Sequence, residues 1–272
     1  MQGMEGFIPT PQKIRYLNQL LKVGFDTIDF GSFVSPKAIP QMRDTADVLA
    51  GLHLAGSTSR LLAIVANTRG AEDACKFEQI AFLGFPLSLS ETFQLRNTNK
   101  TIIEALNTIE EMQSLCVNNN KQLVTYLSMG FGNPYGDPYD VEIVGKFVDI
   151  LATVGIKVIS LADTVGVATP KLIGELFGSI ASQFKDIELG VHLHSNPATS
   201  REKISAAHLA GCRRFDGAMK GYGGCPMAED KLVGNIATET IYAYLREMND
   251  APKLDDREFQ KSMLLAEQVF KG

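Results

Sequence analysis

The stretch VISLADTVGVATP, from Val158 to Pro170, contains one whole structural unit. Residues 158–161 are apolar on both faces, as in a strand buried inside a parallel sheet. Asp163 and Thr164 follow, at the point where such a strand would end. Thr169 and Pro170 then pair a capping hydroxyl with a first-turn proline, which starts a helix.

The same unit recurs along the chain. Strands are predicted at 27–30, 60–65, 80–83, 123–127, 189–194 and 214–218. Helices are predicted at 11–23, 100–119, 141–154, 170–184, 201–209, 236–248 and 258–270, with Thr10 as the N-cap of the first. Gly24, Gly155 and Gly211 stand just past three of them, where a left-handed terminator is wanted. Repeated βα units imply a parallel sheet. Seven strands are counted, and the chain opens on a helix with no strand before it. The expected fold is therefore an α/β TIM (β/α)8 barrel lacking its first strand, a single catalytic domain over residues 1–272. A doubly wound dinucleotide fold is disfavoured, because no G-x-G-x-x-G follows a first strand. A missing strand would leave two sheet edges unpaired and lower solubility.

Composition narrows the function classes. The 272 residues are 45% hydrophobic and carry a net charge of −5. With no polybasic block, nucleic acid is not an expected partner. No apolar run approaches the roughly 20 residues of a membrane span, so no membrane is expected either. Cys75, Cys116, Cys212 and Cys225 are widely spaced and form no C-x-x-C pair, which suits the reducing cytoplasm.

The mouth of a parallel barrel, at the C-terminal ends of its strands, is where chemistry is expected. His192 and His194 lie two apart at such an end, so both imidazoles point the same way and suit one divalent ion. Mg²⁺ or Mn²⁺ needs further oxygen ligands. Asn235 offers a carbonyl, although on sequence pattern alone its place before a helix favours an N-cap. Asp163 faces the mouth or caps the next loop, and Asp29 ends its strand in the same way. Cys225 sits in Gly221-Tyr222-Gly223-Gly224-Cys225-Pro226, a glycine-rich loop suited to closing over substrate. Thr164, Gly223 and Gly224 are the expected substrate contacts. His53 and His208 fall in helical segments and are assigned to packing or surface.

Together these motifs resemble the 3-hydroxy-3-methylglutaryl-CoA lyases, within a wider group of metal-dependent barrel lyases and synthases. The resemblance rests on Ser32-Phe33-Val34-Ser35-Pro36-Lys37, Pro40-Gln41-Met42, the run from Ser160 to Pro170, Gly223-Gly224-Cys225-Pro226, and Gly234-Asn235-Ile236-Ala237-Thr238-Glu239. It spans nearly the whole chain. It implies retro-Claisen cleavage of an acyl-CoA substrate, with His192, His194 and Asn235 holding a divalent metal, Mg²⁺ or Mn²⁺. It further implies Cys225 as proton donor, Asp163 in the polar shell near the substrate, and Asp29 in place of a family glutamate. A homodimer is a plausible assembly.

This sequence departs from the family pattern in three places. The family's Arg-Asp pair, which ends its first strand, has no counterpart in residues 1–272, so the chain as read is expected to bind metal weakly and turn over slowly. Ser195-Asn196-Pro197 follows the histidine pair in place of the family's Asp-Thr-Tyr. Lys220 adds a cation near the mouth, with an expected effect on acyl preference. A condensing synthase of the isopropylmalate or homocitrate type is the alternative enzyme, and a catalytically impaired barrel the alternative from another class.

Overall fold

All seven predicted strands form and lie parallel in one sheet: β1 (Thr27–Ser32), β2 (Arg60–Ile64), β3 (Ile80–Ser88), β4 (Gln122–Ser128), β5 (Val158–Asp163), β6 (Glu188–Leu193) and β7 (Arg214–Asp216). Their order in the sheet is their order in the chain. The structure, a computed structural model, describes residues 1, 6–223 and 233–270.

The connecting helices are α1 (Thr10–Leu20), α2 (Thr45–Ala50), α3 (Thr68–Cys75), α4 (Glu91–Thr98) and α5 (Ile102–Asn118). They continue with α6 (Val141–Thr153), α7 (Pro170–Gln183), α8 (Ser200–Leu209), α9 (Thr238–Glu247) and α10 (Asp256–Phe270). The sequence reading missed α2, α3 and α4, which are too short to show a sustained apolar stripe. Gly24, Gly155 and Gly211 do take positive φ, at +90°, +95° and +102°. Thr169 caps α7, its hydroxyl accepting the Leu172 N–H at 3.2 Å.

Thr10 is a correction. It is the first residue of α1, and Pro9 holds the cap position with no side-chain bond. The Thr10 hydroxyl donates instead to Asp44 at 2.6 Å. Strand β3 is also longer than read, running through Gly84 and Pro86 to Ser88. The proline is tolerated because pairing of β3 with β2 ends at Gly84, and Pro86 pairs only with Tyr126 of β4.

Side chains alternate across the sheet wall. One face packs under the helices, and β5 is buried along its whole length. Leu62, Phe82, Val124 and Val158 form a separate apolar cluster on the other face, the floor of the barrel interior. Each such side chain contributes about 1.5–3 kcal/mol when fully buried. Gly190 leaves room for Arg214, since a Cβ there would lie 2.7 Å from the Arg214 Cδ. The sheet curls far enough that Asp29 of β1 lies within electrostatic reach of Asp216 of β7. Among the described residues, no ladder joins those two strands. No described helix is long and apolar enough to cross a membrane.

Candidate active site

The inward positions of β1, β6 and β7 rise above the apolar floor and carry Asp29, His192 and Asp216. His192 pairs in register with Asp216 on one side and Ala162 on the other. The two histidine rings stand 5.3 Å apart between centroids, on the same side as the period of two requires. Tyr126 of β4 meets His192 edge-on at 6.0 Å.

The two imidazoles differ in surroundings. The His194 side bears on a buried shelf: its ring bonds to the Thr164 backbone and the Asn235 side chain. Burial, then the neighbouring His192, pushes its pKa down to about 4, so it is a neutral imidazole, the ligating form, at neutral pH. His192 is nearer the solvent. Its Nδ1 lies 3.7 Å from an Asp216 oxygen, beyond hydrogen-bond length, and is a buried atom with no hydrogen-bond partner. Burial works to raise the Asp216 carboxyl, but His192, Arg214 and the Ser160 hydroxyl, which donates to it at 2.8 Å, hold it below the usual range.

Asp29 does not end its strand as the sequence suggested, because β1 runs on to Ser32, and it is exposed between buried neighbours. Its carboxylate lies on the inner face of the curled sheet, with Leu62 beside it in register. That enclosure pushes its pKa up to about 6, against the opposing pull of the Met1 amino group and His192. It forms no ion pair among the described residues.

Asp163 is placed differently. Its side chain is fully buried and pairs with Lys203 of α8 at 2.9 Å. Its second oxygen accepts the Ala168 N–H at 3.1 Å. The loop-capping alternative of the sequence reading is therefore the geometry found, with an ion pair added. Thr164 is buried too, and its hydroxyl accepts the N–H of Met129, which is held at a positive φ of 58°.

Asn235 is not an N-cap: α9 begins at Thr238, and Ala237 holds the cap position. Instead, Asn235 forms an isolated antiparallel bridge with His194, and its amide donates to the Tyr222 carbonyl at 3.3 Å. Glycine is needed where the loop crosses it, because a Cβ on Gly221 would sit 2.8 Å from the Asn235 carbonyl. Gly223, at φ +92°, also lies beside Asn235. Gly224 and Cys225 lie outside the described residues. Lys220 stands at the mouth, but its ammonium pairs with Glu267 of α10. His53 is exposed, and His208 bonds to Asp250 at 2.8 Å, both away from the site.

His192, His194, Asn235, Asp29 and Gly223 are thus brought to one mouth, while Asp163 turns to the helix side of the sheet and Thr164 lies buried beside it. The sequence reading missed Asp216, Ser160 and Lys203 as site residues. Asp216 had a signal, since the alternation that turns Arg214 inward turns it inward as well. Lys203 had none, because a lysine on an amphipathic helix reads as solvated.

The chain was compared with known proteins. The HMGL-like family model matches residues 1–265. Hydroxymethylglutaryl-CoA lyase YngG of Bacillus subtilis is 33% identical over 252 residues, covering 92% of this chain and 82% of that protein. The cytoplasmic 3-hydroxy-3-methylglutaryl-CoA lyase of Rattus norvegicus is 32% identical over 250 residues, covering 91% and 71%. Among solved structures, the HMG-CoA lyase of Bacillus subtilis superposes with a TM-score of 0.91 at 31% identity, covering 99% of this chain and 90% of that one. An HMG-CoA lyase from Acinetobacter baumannii, in complex with coenzyme A and 3-methylmalate, gives a TM-score of 0.90 at 29% identity, covering 99% and 87%.

Proposed function

This chain belongs to the HMGL-like family, and from that premise we propose that it is a carbon–carbon lyase, cleaving 3-hydroxy-3-methylglutaryl-CoA to acetyl-CoA and acetoacetate with a divalent metal. The observation that carries the reading is the convergence of His192, His194, Asn235 and Asp29 on one barrel mouth, in a chain whose relatives carry that activity in their names.

The donor set fits a divalent ion. His194 is neutral, the buried His192 Nδ1 has no hydrogen-bond partner, and Asn235 adds an amide carbonyl. Among the described residues no three His, Cys, Asp or Glu side chains lie close enough together to hold a metal ion by themselves. The protein would thus supply a partial shell, with substrate and water oxygens completing it. Mg²⁺ and Mn²⁺ both suit such a mixed set. When bound, the ion supplies charge stabilisation for the substrate's oxygens.

The residues of the chain perform the proton transfers. Asp29, raised toward neutrality, takes the proton of the substrate's tertiary hydroxyl. The electron pair of that O–H bond becomes the ketone of acetoacetate, and the adjacent carbon–carbon bond breaks. Its electrons leave on the thioester fragment as an enolate. Cys225 donates a proton to that carbon, giving acetyl-CoA. Tyr126 packs edge-on against the His192 ring, and Gly221 and Gly223 let their loop pass close to Asn235. Cys75, Cys116 and Cys212 are free thiols, in keeping with a cytoplasmic location.

The test is a coupled assay for acetyl-CoA release from 3-hydroxy-3-methylglutaryl-CoA with Mg²⁺ or Mn²⁺, run on residues 1–272 and on a protein extended upstream by a strand ending in Arg-Asp. Turnover lost on His192→Ala, and lowered about 10²–10⁴-fold by Cys225→Ala, is the expected result. No acetyl-CoA from either protein, with metal bound, sinks the reading and moves the search to other hydroxyacyl-CoA thioesters.

A further inference from the structure

Lys203 is 4% exposed, although it lies on α8, an outer helix of the barrel. Its ammonium has three donors and meets three acceptors: the Asp163 carboxylate at 2.9 Å, the His194 carbonyl at 2.8 Å and the Gly166 carbonyl at 3.1 Å. The acceptors belong to the end of β5, the loop after it, and the residue just past β6. One side chain therefore ties together the two strand ends that flank the mouth.

The His194 carbonyl is the informative contact. His194 and Asn235 face each other in an isolated antiparallel bridge. The bonds that hold the bridge come from their neighbours, Ser195 N–H to the Gly234 carbonyl at 3.1 Å and Ile236 N–H to the Leu193 carbonyl at 3.2 Å. The carbonyl of His194 itself points out of that ladder, toward α8. A buried carbonyl without a donor is costly, and Lys203 supplies the donor.

A buried ion pair contributes less to stability than a well-packed apolar pair of the same size, so its presence calls for another reason. The bond to the His194 carbonyl gives one. We propose that Lys203 is a positioning residue of the lyase site, fixing the backbone of His194 and through it the pairing of His194 with Asn235. This rests on the reading of those two side chains as ligands. Lys203 does not touch the reacting atoms. It acts through the backbone, as outer partners of metal ligands do, and such partners change metal affinity by about 10- to 100-fold.

Two variants separate this role from plain stability. Asp163→Asn keeps Lys203 on the His194 carbonyl. The double variant Asp163→Asn/Lys203→Met removes that donor without stranding a buried charge. Amide hydrogen exchange at Ser195 and Ile236 reads the bridge directly and needs no metal, with amides of β3 and β4 as the internal reference. Mn²⁺ titration reads the ligands. In the double variant, exchange at both amides is expected to accelerate at least 10-fold over the reference, and the Mn²⁺ Kd to rise about 10- to 100-fold. The single variant is expected to leave the bridge amides near wild type. Unchanged exchange in the double variant overturns the proposal. So does faster exchange with unchanged Mn²⁺ affinity, which would make Lys203 a packing residue only. A wild type that binds no Mn²⁺ overturns the ligand reading of the proposed function, while accelerated exchange in that case still supports the clamp on His194.

Discussion

Asp29 and Asp163 both lie on strands of the same sheet, and in the sequence they read alike, although only Asp163 ends its strand in the fold. The fold treats them oppositely. Asp163 is sealed beneath the mouth, paired with Lys203 and bonded to the Ala168 N–H. Asp29 is exposed on the inner face of the sheet with no ion pair among the described residues, and its pKa is pushed up to about 6. Under the proposed function, one carboxylate is committed to geometry and the other moves a proton. An active site needs both, because a proton-transfer group works only where its partners are held in place.

That contrast can be broken by experiment. Asp29→Asn should show the largest effect, lowering kcat about 10²–10⁴-fold while leaving the urea midpoint within error of wild type. In the wild type, kcat/KM should fall as the pH drops through about 6, because the base must be ionised and its carboxyl takes up a proton there. A variant that loses stability rather than turnover would reverse the assignment. Lys203→Met should cost about 3–5 kcal/mol in denaturant unfolding because it strands the buried Asp163, in addition to its effect on Mn²⁺ binding.

Smaller changes sharpen the same division. Thr164→Val removes the acceptor for the Met129 N–H, and leaving that buried donor unmet should cost about 1–3 kcal/mol in unfolding free energy. Ser160→Ala removes one hydrogen bond to Asp216 and should cost about 0.5–1.5 kcal/mol, with the Asp216 carboxyl rising toward its ordinary range in a carbon-13 NMR titration. A drop in kcat from Thr164→Val as large as that from Asp29→Asn would mean that the buried shelf takes part in the chemistry directly.

Much of the fold was legible because its signals are local. Strands buried on both faces, with Thr169-Pro170 and the glycines past the helices, marked the βα units wherever the elements were long. The short helices α2 to α4 lacked the length to show a period. Thr10 was misread because its hydroxyl found Asp44, 34 positions away, in preference to its own helix. Asn235 was ambiguous for a related reason: a residue just before a helix fits a cap until the helix is seen to start three residues later, at Thr238.

The sequence by itself determined that this chain is a βα repeat with a histidine pair at one strand end, because side-chain alternation and helix punctuation are properties of neighbouring residues. Only the tertiary structure decided which of the two aspartates is buried with a lysine and which is exposed. Asp163 and Lys203 are 40 positions apart, and nothing local records that α8 turns its lysine inward under β5 and β6. Burial and the field of a partner charge depend on what the folded chain brings together, and those two quantities separate a brace from a base.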